Sequence, residues 1–386
     1  MFTTLPVTST LLHWPCTAGN SLPALLSNVL CRPQNGAALL SLLQGLPPWQ
    51  IHSAPARLEH AFARTWAISA RSSGALQVLT SKDELELYIV QRSLCTTHRT
   101  GCRYSASILG IEGVDALAHM ADGDAASAAD EVFELGVRTV ALHNTGHNAA
   151  GGSRHGEATG GDALTAWGRD LVRRLQELGV LVDLTHSSDA LIREVLAMNL
   201  TRPLALTHIV PASAASRCSF AGGALGRQPG VGAEQYPAPA VVADTLLRDV
   251  AAAGGVIGMS FAACVGANGS AVGPWAHDPV SGVAADIAAL VALVGADRVA
   301  LGSDWDGGIV IPDALDATGS PLLQEALRTQ GLTAEQVDQV MGGTALQLLR
   351  DTLPSDLEMA ETAARGVASR RVTTIGEDGT TYDVWL

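Results

Sequence analysis

Four acid or imidazole side chains each stand directly after a short apolar run: Glu112, His186, His208 and Asp304. One carboxylate and two imidazoles suit zinc or a similar divalent ion, and a carboxylate can also bridge two ions. Asp304 can ligate a metal, or serve as a general acid or base beside metal-bound water. Each residue alone is as well explained by a hydrogen bond at a strand end, but the four together favour a metal centre.

The apolar runs belong to an alternation of strands and helices that becomes regular at Ser105. We predict strands over Ser105–Glu112, Val137–His143, Val180–His186, Pro203–His208, Val256–Phe261 and Val299–Ser303. Apolar periodicity predicts helices over Leu22–Leu30, Ala37–Leu46, Ala54–Ser69, Asp83–Thr97, Ala125–Leu135, Thr165–Leu178, Ser188–Met198, Ala240–Ala253, Val283–Val294, Pro321–Gln330, Thr333–Met341 and Thr344–Leu353. Such alternation predicts parallel βαβ units, and almost wholly apolar strands are typical of sheets covered on both faces.

The pattern predicts an α/β fold, a TIM-like (β/α)8 barrel whose C-terminal strand ends meet at one mouth. Two further strands must come from residues 10–105 if the barrel closes at eight. In the tail, Arg371–Ile375 and Thr380–Trp385 flank a Gly-Glu-Asp-Gly turn, which predicts a β-hairpin outside the barrel. We expect one catalytic barrel domain over residues 1–355 and a C-terminal extension over residues 356–386.

Composition excludes some partners. Among 386 residues, 47% are hydrophobic, and the net charge of −14 comes without a basic stripe, so nucleic acid and anionic membranes are poor partners. No long apolar stretch predicts a membrane span, and the first ten residues lack the features of a signal peptide. The six scattered cysteines predict reduced thiols in a cytoplasmic protein. The single lysine, Lys82, beside many arginines is typical of a GC-rich bacterial genome.

Seven runs in this order resemble the membrane (renal) dipeptidases, peptidase family M19. They are SILGIEGVDAL, VRTVALHN, LGVLVDLTHSS, PLALTH, AASR, GGVIGMSF and RVALGSDWDG. The resemblance covers roughly residues 105–350, and the runs around His186 and Asp304 are the most specific. It implies a β/α barrel of the metal-dependent hydrolase type with two zinc ions bridged by a glutamate, which Glu112 matches. His186 and His208 match the histidines that complete one zinc site.

The resemblance also implies roles on the substrate side. Asp304 matches an aspartate that serves the second metal and the proton transfer to the leaving amine. His143 matches a histidine that contacts the substrate, although it could instead be a polar residue capping a strand. Arg217 best matches the arginine that binds the substrate carboxylate, with Arg227 as the fallback because Arg217 lies slightly closer to His208 than in the family. A bidentate guanidinium suits a free α-carboxylate, but a surface salt bridge is the alternative for Arg217.

The chain departs from the family on its first strand, where an HxD pair ligates the metal that the two histidines do not hold. The matching run here is Ala18-Gly19-Asn20-Ser21-Leu22-Pro23, so the ligands are replaced by Gly19 and Ser21. We therefore expect one bound zinc ion, and a second site left with only Glu112 and Asp304.

The sequence leaves two enzymatic functions and one binding function open. The first is a dipeptidase-like hydrolase that cleaves a dipeptide or related small amide with metal-activated water, Asp304 moving the proton. The alternative is a repurposed M19-like enzyme with reduced or no metal, performing an isomerase-, tautomerase- or tailoring-type step on a peptide-derived metabolite. A non-enzymatic binding protein is the third, although a binder needs none of the site residues. The resemblance further implies a homodimer.

Overall fold

The computed structural model describes residues 45–97, 104–144, 146–154, 163–217, 241–261, 279–305, 317–367, 371–375 and 381–385. Its centre is a parallel sheet whose strands alternate with helices. The strands are β1 Leu76–Val78, β2 Ser105–Ser107, β3 Leu109–Glu112, β4 Val137–Ala141, β5 Leu181–Asp183, β6 Ala205–Pro211, β7 Val241–Val242, β8 Val256–Ser260, β9 Val299–Gly302, β10 Arg371–Ile375 and β11 Thr381–Trp385.

The helices between and after these strands carry apolar faces against the sheet. They are α1 Ala54–Arg71, α2 Lys82–Thr97, α3 Ala125–Glu134, α4 Ala166–Leu178, α5 Asp189–Leu196, α6 Ala212–Arg217, α7 Asp244–Ala252, α8 Pro279–Val294, α9 Ser320–Thr329, α10 Ala334–Asp338, α11 Thr344–Thr352 and α12 Asp356–Ala364. The hydroxyls of Thr165 and Ser188 cap α4 and α5 by accepting from the third residue beyond each. A turn of π-helix, Gln339–Gly343, separates α10 from α11.

The strand order confirms the predicted α/β fold class. β3, β4, β5, β6, β8 and β9 lie side by side in chain order, all parallel, with β7 beside β6. Sequential parallel strands with helical crossovers are the arrangement of a β/α barrel wall. β1 pairs in parallel with β2 in a separate two-stranded sheet, and residues 10–44 lie outside the described residues, so the closure of the barrel by two strands from residues 10–105 stays a prediction.

Several boundaries differ from the predictions. The strand predicted over 105–112 divides at Ile108 into β2 and β3, which pair with different neighbours. The structure also contains two helices, α6 and α12, that the sequence did not predict. The predicted tail hairpin is confirmed, because β10 and β11 pair antiparallel. The division of the chain at residue 355 stays a prediction.

Two further findings concern membrane-spanning helices and disulfide bonds. Among the described helices, none combines the length and the apolarity that a membrane crossing requires. Cys95 takes part in a disulfide bond, so the prediction of a reduced thiol is wrong at this position. The sequence separation of cysteines carries little information about which side chains meet in the fold, and the other five lie outside the described residues.

The strand side chains that face the interior form an apolar layer, and the next layer toward the C-terminal strand ends is more polar. Four strand residues pack with Leu348 of α11 in one buried cluster: Leu181, Ala205, Val256 and Ala300. Because side chains alternate along a strand, the residues two positions further face the same interior. These are Asp183, Thr207, Gly258 and Gly302.

Two of these residues are glycines because the backbone of β6 enters the interior beside them. The register between β6 and β8 shifts between Leu206 and Ile209. A Cβ added at Gly258 would lie 1.9 Å from the carbonyl oxygen of Thr207, and one at Gly302 would lie 2.0 Å from the same atom. Only glycine leaves room for this irregularity, which sets the position of the next residue, His208.

We predict that Gly302→Ala lowers the free energy of unfolding by about 3 kcal/mol and weakens zinc binding, because the added methyl group displaces the backbone that carries His208. Chemical denaturation and zinc titration measure the two effects. Gly343→Ala is the control, because its Cβ would lie 3.2 Å from Asp338 O, a contact that a shift of a few tenths of an ångström relieves. Equal stability and equal zinc affinity in the two variants would contradict this account.

Candidate metal centre

Three predicted ligands come from three strands of the parallel sheet. Glu112 is the last residue of β3, His186 follows β5 by three residues, and His208 lies within β6. All three side chains are largely buried, with exposed fractions of 7%, 15% and 10% in that order. The parallel order of the strands therefore brings together residues that are far apart in the chain.

The donor atoms of these side chains form a compact triangle. The Oε1 atom of Glu112 lies 3.0 Å from Nε2 of His186 and 3.3 Å from Nε2 of His208. The two Nε2 atoms are 3.0 Å apart. Ligand atoms about 2.0–2.1 Å from a tetrahedral zinc ion are about 3.3 Å from one another, so these distances and donor types fit such an ion. Three ligands also leave a position open for water or substrate.

The triangle also perturbs protonation. Burial alone would raise the pKa of Glu112, but hydrogen bonds from His186 and His208 hold this pKa well below its usual range. Burial alone would lower the pKa of His208, yet the hydrogen bond to Glu112 and the charges of Glu112, Asp304 and Asp183 raise it to about 9. In the metal-free protein, a proton on His208 therefore supplies positive charge at the centre.

Asp304 joins the same electrostatic cluster from the end of β9. Burial raises the pKa of its carboxyl, while the nearby His208 acts in the opposite direction. Its backbone is left-handed, with φ +56°, which is uncommon for a residue other than glycine. The following Trp305 packs edge-to-face on Phe261, with ring centroids 5.7 Å apart, and so ties this strand end to the end of β8.

His186 is held in the same uncommon conformation, with φ +65°. Its carbonyl accepts hydrogen bonds from the Arg154 backbone at 2.7 Å and from the Ser153 hydroxyl at 3.2 Å. The Arg154 side chain forms an ion pair with Asp189 at the start of α5. The loop after β4 thus stabilises the strained turn that aims His186 at the triangle.

His143 is fully buried close to His186, and both of its ring nitrogens have partners. Nε2 donates to the Gly151 carbonyl at 3.1 Å, so the ring is the Nε2–H tautomer and Nδ1 accepts from the Ser187 hydroxyl at 3.0 Å. Burial lowers the pKa of His143 to about 4. It is therefore a neutral residue near the mouth, and contact with a substrate would require it to exchange one of these bonds.

The remaining predicted site residues are not placed in this centre. Arg217 ends α6, just beyond β6, but its side chain is outside what the structure describes. Arg227, Gly19 and Ser21 also lie outside the described residues. Their roles stay predictions.

Sequence reasoning missed two residues, Asp183 and Thr207, whose hydrogen bonds lead to the side of the His208 ring opposite the triangle. Asp183 is completely buried, and Thr207 links it to the ring of His208. The available signals were a carboxylate inside the apolar run VLVDL and a threonine directly before the histidine in PLALTH.

The model of the family described as membrane dipeptidase (peptidase family M19) matches residues 70–218 and 233–361. The chain belongs to peptidase family M19. As a member of this family of metal-dependent peptidases with TIM-barrel folds, it carries the Glu112, His186 and His208 triangle as a candidate metal site.

Curated relatives agree with this membership. Dipeptidase aclJ from Aspergillus oryzae is 29% identical over 263 residues, which are 67% of this chain and 54% of the relative. Human dipeptidase 3 is 25% identical over 279 residues, 71% of this chain and 49% of the relative. The chain thus spans about half the length of these two M19 relatives.

Two solved structures share the fold. The probable dipeptidase PvdM from Pseudomonas aeruginosa has a TM-score of 0.62 at 16% identity and covers 91% of this chain and 85% of its own. A metallo peptidase from Rhodobacter sphaeroides, liganded with a phosphinate mimic of the dipeptide L-Ala-D-Ala, has a TM-score of 0.55 at 22% identity. It covers 83% of this chain and 84% of its own.

We predict that zinc affinity rises with pH up to about 9, because zinc must displace the Nε2 proton of His208. The folded-state pKa of His208 lies above its ordinary value, so the stabilisation from protonation is complete below about pH 6.5 and is lost as the pH rises through about 9. Competition titrations should show a rise of about tenfold per pH unit between about pH 6.5 and 8.5. An affinity that stays constant over this interval would show that His208 is already neutral.

Proposed function

We propose that this M19 member is a dipeptidase-like hydrolase that cleaves a dipeptide or a related small amide with one firmly bound zinc ion. The observation that carries the proposal is the buried triangle of Glu112, His186 and His208 at the mouth of the parallel strands. An M19 barrel with this donor set is suited to hydrolysis, because three donors leave a coordination position for water or substrate and Asp304 belongs to the same electrostatic cluster.

The proposed reaction needs metal ligands and a proton donor. Glu112, His186 and His208 would hold the ion, which supplies the Lewis acidity and the activated water that amide hydrolysis needs. Asp304 lies beside these ligands, and burial favours the protonated form of its carboxyl. It is therefore placed to hold a proton and pass it to the nitrogen of the leaving amine.

On the substrate side, the proposal assigns binding to Arg217 and His143. A guanidinium at position 217 would pair with the free carboxylate of a dipeptide through two parallel hydrogen bonds. His143 would act as a neutral hydrogen-bonding group, because burial keeps its ring uncharged at neutral pH. The small peptide-like substrate follows from these two groups.

One sequence observation favours the alternative of a repurposed enzyme. Gly19 and Ser21 lie in the run that, by its resemblance to the family, corresponds to the HxD ligands of the other metal. A second ion would then have only Glu112 and Asp304, and two carboxylates without an imidazole bind zinc weakly. The alternative reaction is an isomerase-, tautomerase- or tailoring-type step on a peptide-derived metabolite.

The first test is a panel of L,L- and L,D-dipeptides assayed with added zinc, cobalt or manganese. We expect about one equivalent of tightly bound zinc and slow hydrolysis that His208→Ala abolishes, because that variant removes a ligand. Elemental analysis and release of free amino acids measure the two results. Zinc binding without turnover on any dipeptide would reject hydrolysis and favour the repurposed enzyme.

The second test restores the missing ligands with Gly19→His and Ser21→Asp together. If the scaffold is a dipeptidase that lacks one metal, the double variant should bind about two equivalents of zinc and gain at least about tenfold in kcat/KM on dipeptides. Each single variant is a control, because one ligand should not complete the second site. A second zinc ion without a gain in hydrolysis would show that the barrel mouth no longer accepts dipeptides.

A further inference from the structure

Asp183 is a buried carboxylate that the proposed reaction does not use. Its side chain is 0% exposed, and its recorded partners within the described part of the chain are two threonines. Oδ1 accepts from the backbone N–H and the hydroxyl of Thr185 at 2.9 and 2.6 Å, and from the backbone N–H of Thr207 at 3.1 Å. A buried carboxylate is costly unless it is paired or hydrogen-bonded, so its position calls for compensating interactions.

The other oxygen of Asp183 connects to the metal centre through one hydroxyl. Oδ2 accepts a short hydrogen bond from Oγ1 of Thr207. The same Oγ1 lies 3.0 Å from Nδ1 of His208. Because the single hydroxyl proton of Thr207 is given to Asp183, the oxygen can only accept from His208, and Nδ1 must carry the proton.

This arrangement determines which nitrogen of the His208 ring has a lone pair available for a metal ion. With its proton on Nδ1, neutral His208 presents the lone pair of Nε2, and Nε2 is the atom that points at Glu112 and His186. A ring free to rotate or to change tautomer would also present an N–H in that direction, which cannot ligate a metal. Ligating histidines generally need such a partner on the other nitrogen.

We propose that Thr207 and Asp183 are positioning residues that fix the tautomer and orientation of His208 for metal binding. The proposal rests on the metal site of the proposed function. Neither residue touches substrate, and Thr207 relays the negative charge of Asp183 to the ring without moving a proton.

Thr185 provides a comparison within the same network. Its hydroxyl also donates to Asp183, and it lies 3.4 Å from both the backbone N–H of His208 and the hydroxyl of Thr207. Among the hydrogen bonds of the described residues, none joins the Thr185 hydroxyl to a ring nitrogen. Replacing Thr185 thus removes a hydrogen bond from the buried carboxylate and leaves the bond to the His208 ring in place.

The experiment compares zinc affinity, by competition with a chromophoric chelator, among wild type, Thr207→Val, Thr207→Ser and Thr185→Val. Thr207→Val keeps the shape and removes the hydroxyl, so we expect zinc affinity to fall about 10- to 100-fold. Thr207→Ser restores the hydroxyl and should lie within about threefold of wild type, as should Thr185→Val. Equal loss in the Thr207→Val and Thr185→Val variants would overturn the proposal.

A second measurement needs no metal and separates this proposal from the proposed function. In metal-free protein labelled with ¹⁵N-histidine, wild type, Thr207→Ser and Thr185→Val should show a downfield, exchange-protected Nδ1–H signal for His208. Thr207→Val should lose this signal while still showing a cooperative thermal transition. If wild type binds no zinc, the proposed function fails, and persistence of the signal in Thr207→Val would independently reject the role of Thr207.

Discussion

The close approach of three buried donor atoms is the constraint on which the rest of the structure depends. Glu112 Oε1 and the Nε2 atoms of His186 and His208 lie within 3.3 Å of one another in a site from which most water is excluded. Such proximity is stable only with positive charge between the donors, which is either a proton on an imidazole or a metal ion. The raised pKa of His208 is consistent with the first solution, and the metal dependence of family M19 is consistent with the second.

Several otherwise unfavourable features converge on this triangle. Gly258 and Gly302 lack a Cβ, and this leaves room for the β6 backbone to enter the barrel interior beside His208. His186 and Asp304 adopt left-handed backbone angles at the ends of their strands. Local strain of this kind persists where packing and hydrogen bonds over-determine the conformation, and it is common at functional sites.

The sequence predicted the ligands because parallel strands make their ends coincide: an acid or imidazole directly after an apolar run implies a shared mouth. It could not predict the supporting residues. Asp183 and Thr207 meet only through the register between β5 and β6, and the bulge in β6 depends on glycines in two other strands. It also missed the disulfide at Cys95 and the division of 105–112 at Ile108, since both depend on tertiary neighbours.

The central claim is that one ion binds between Glu112 of β3, His186 just after β5 and His208 of β6. Diffraction data collected on zinc-soaked crystals at both sides of the zinc absorption edge test it most directly. The account predicts one strong anomalous peak about 2.0–2.1 Å from the carboxylate of Glu112 and from Nε2 of both His186 and His208. No peak at this position, or a peak that contacts the histidines through Nδ1, would contradict it.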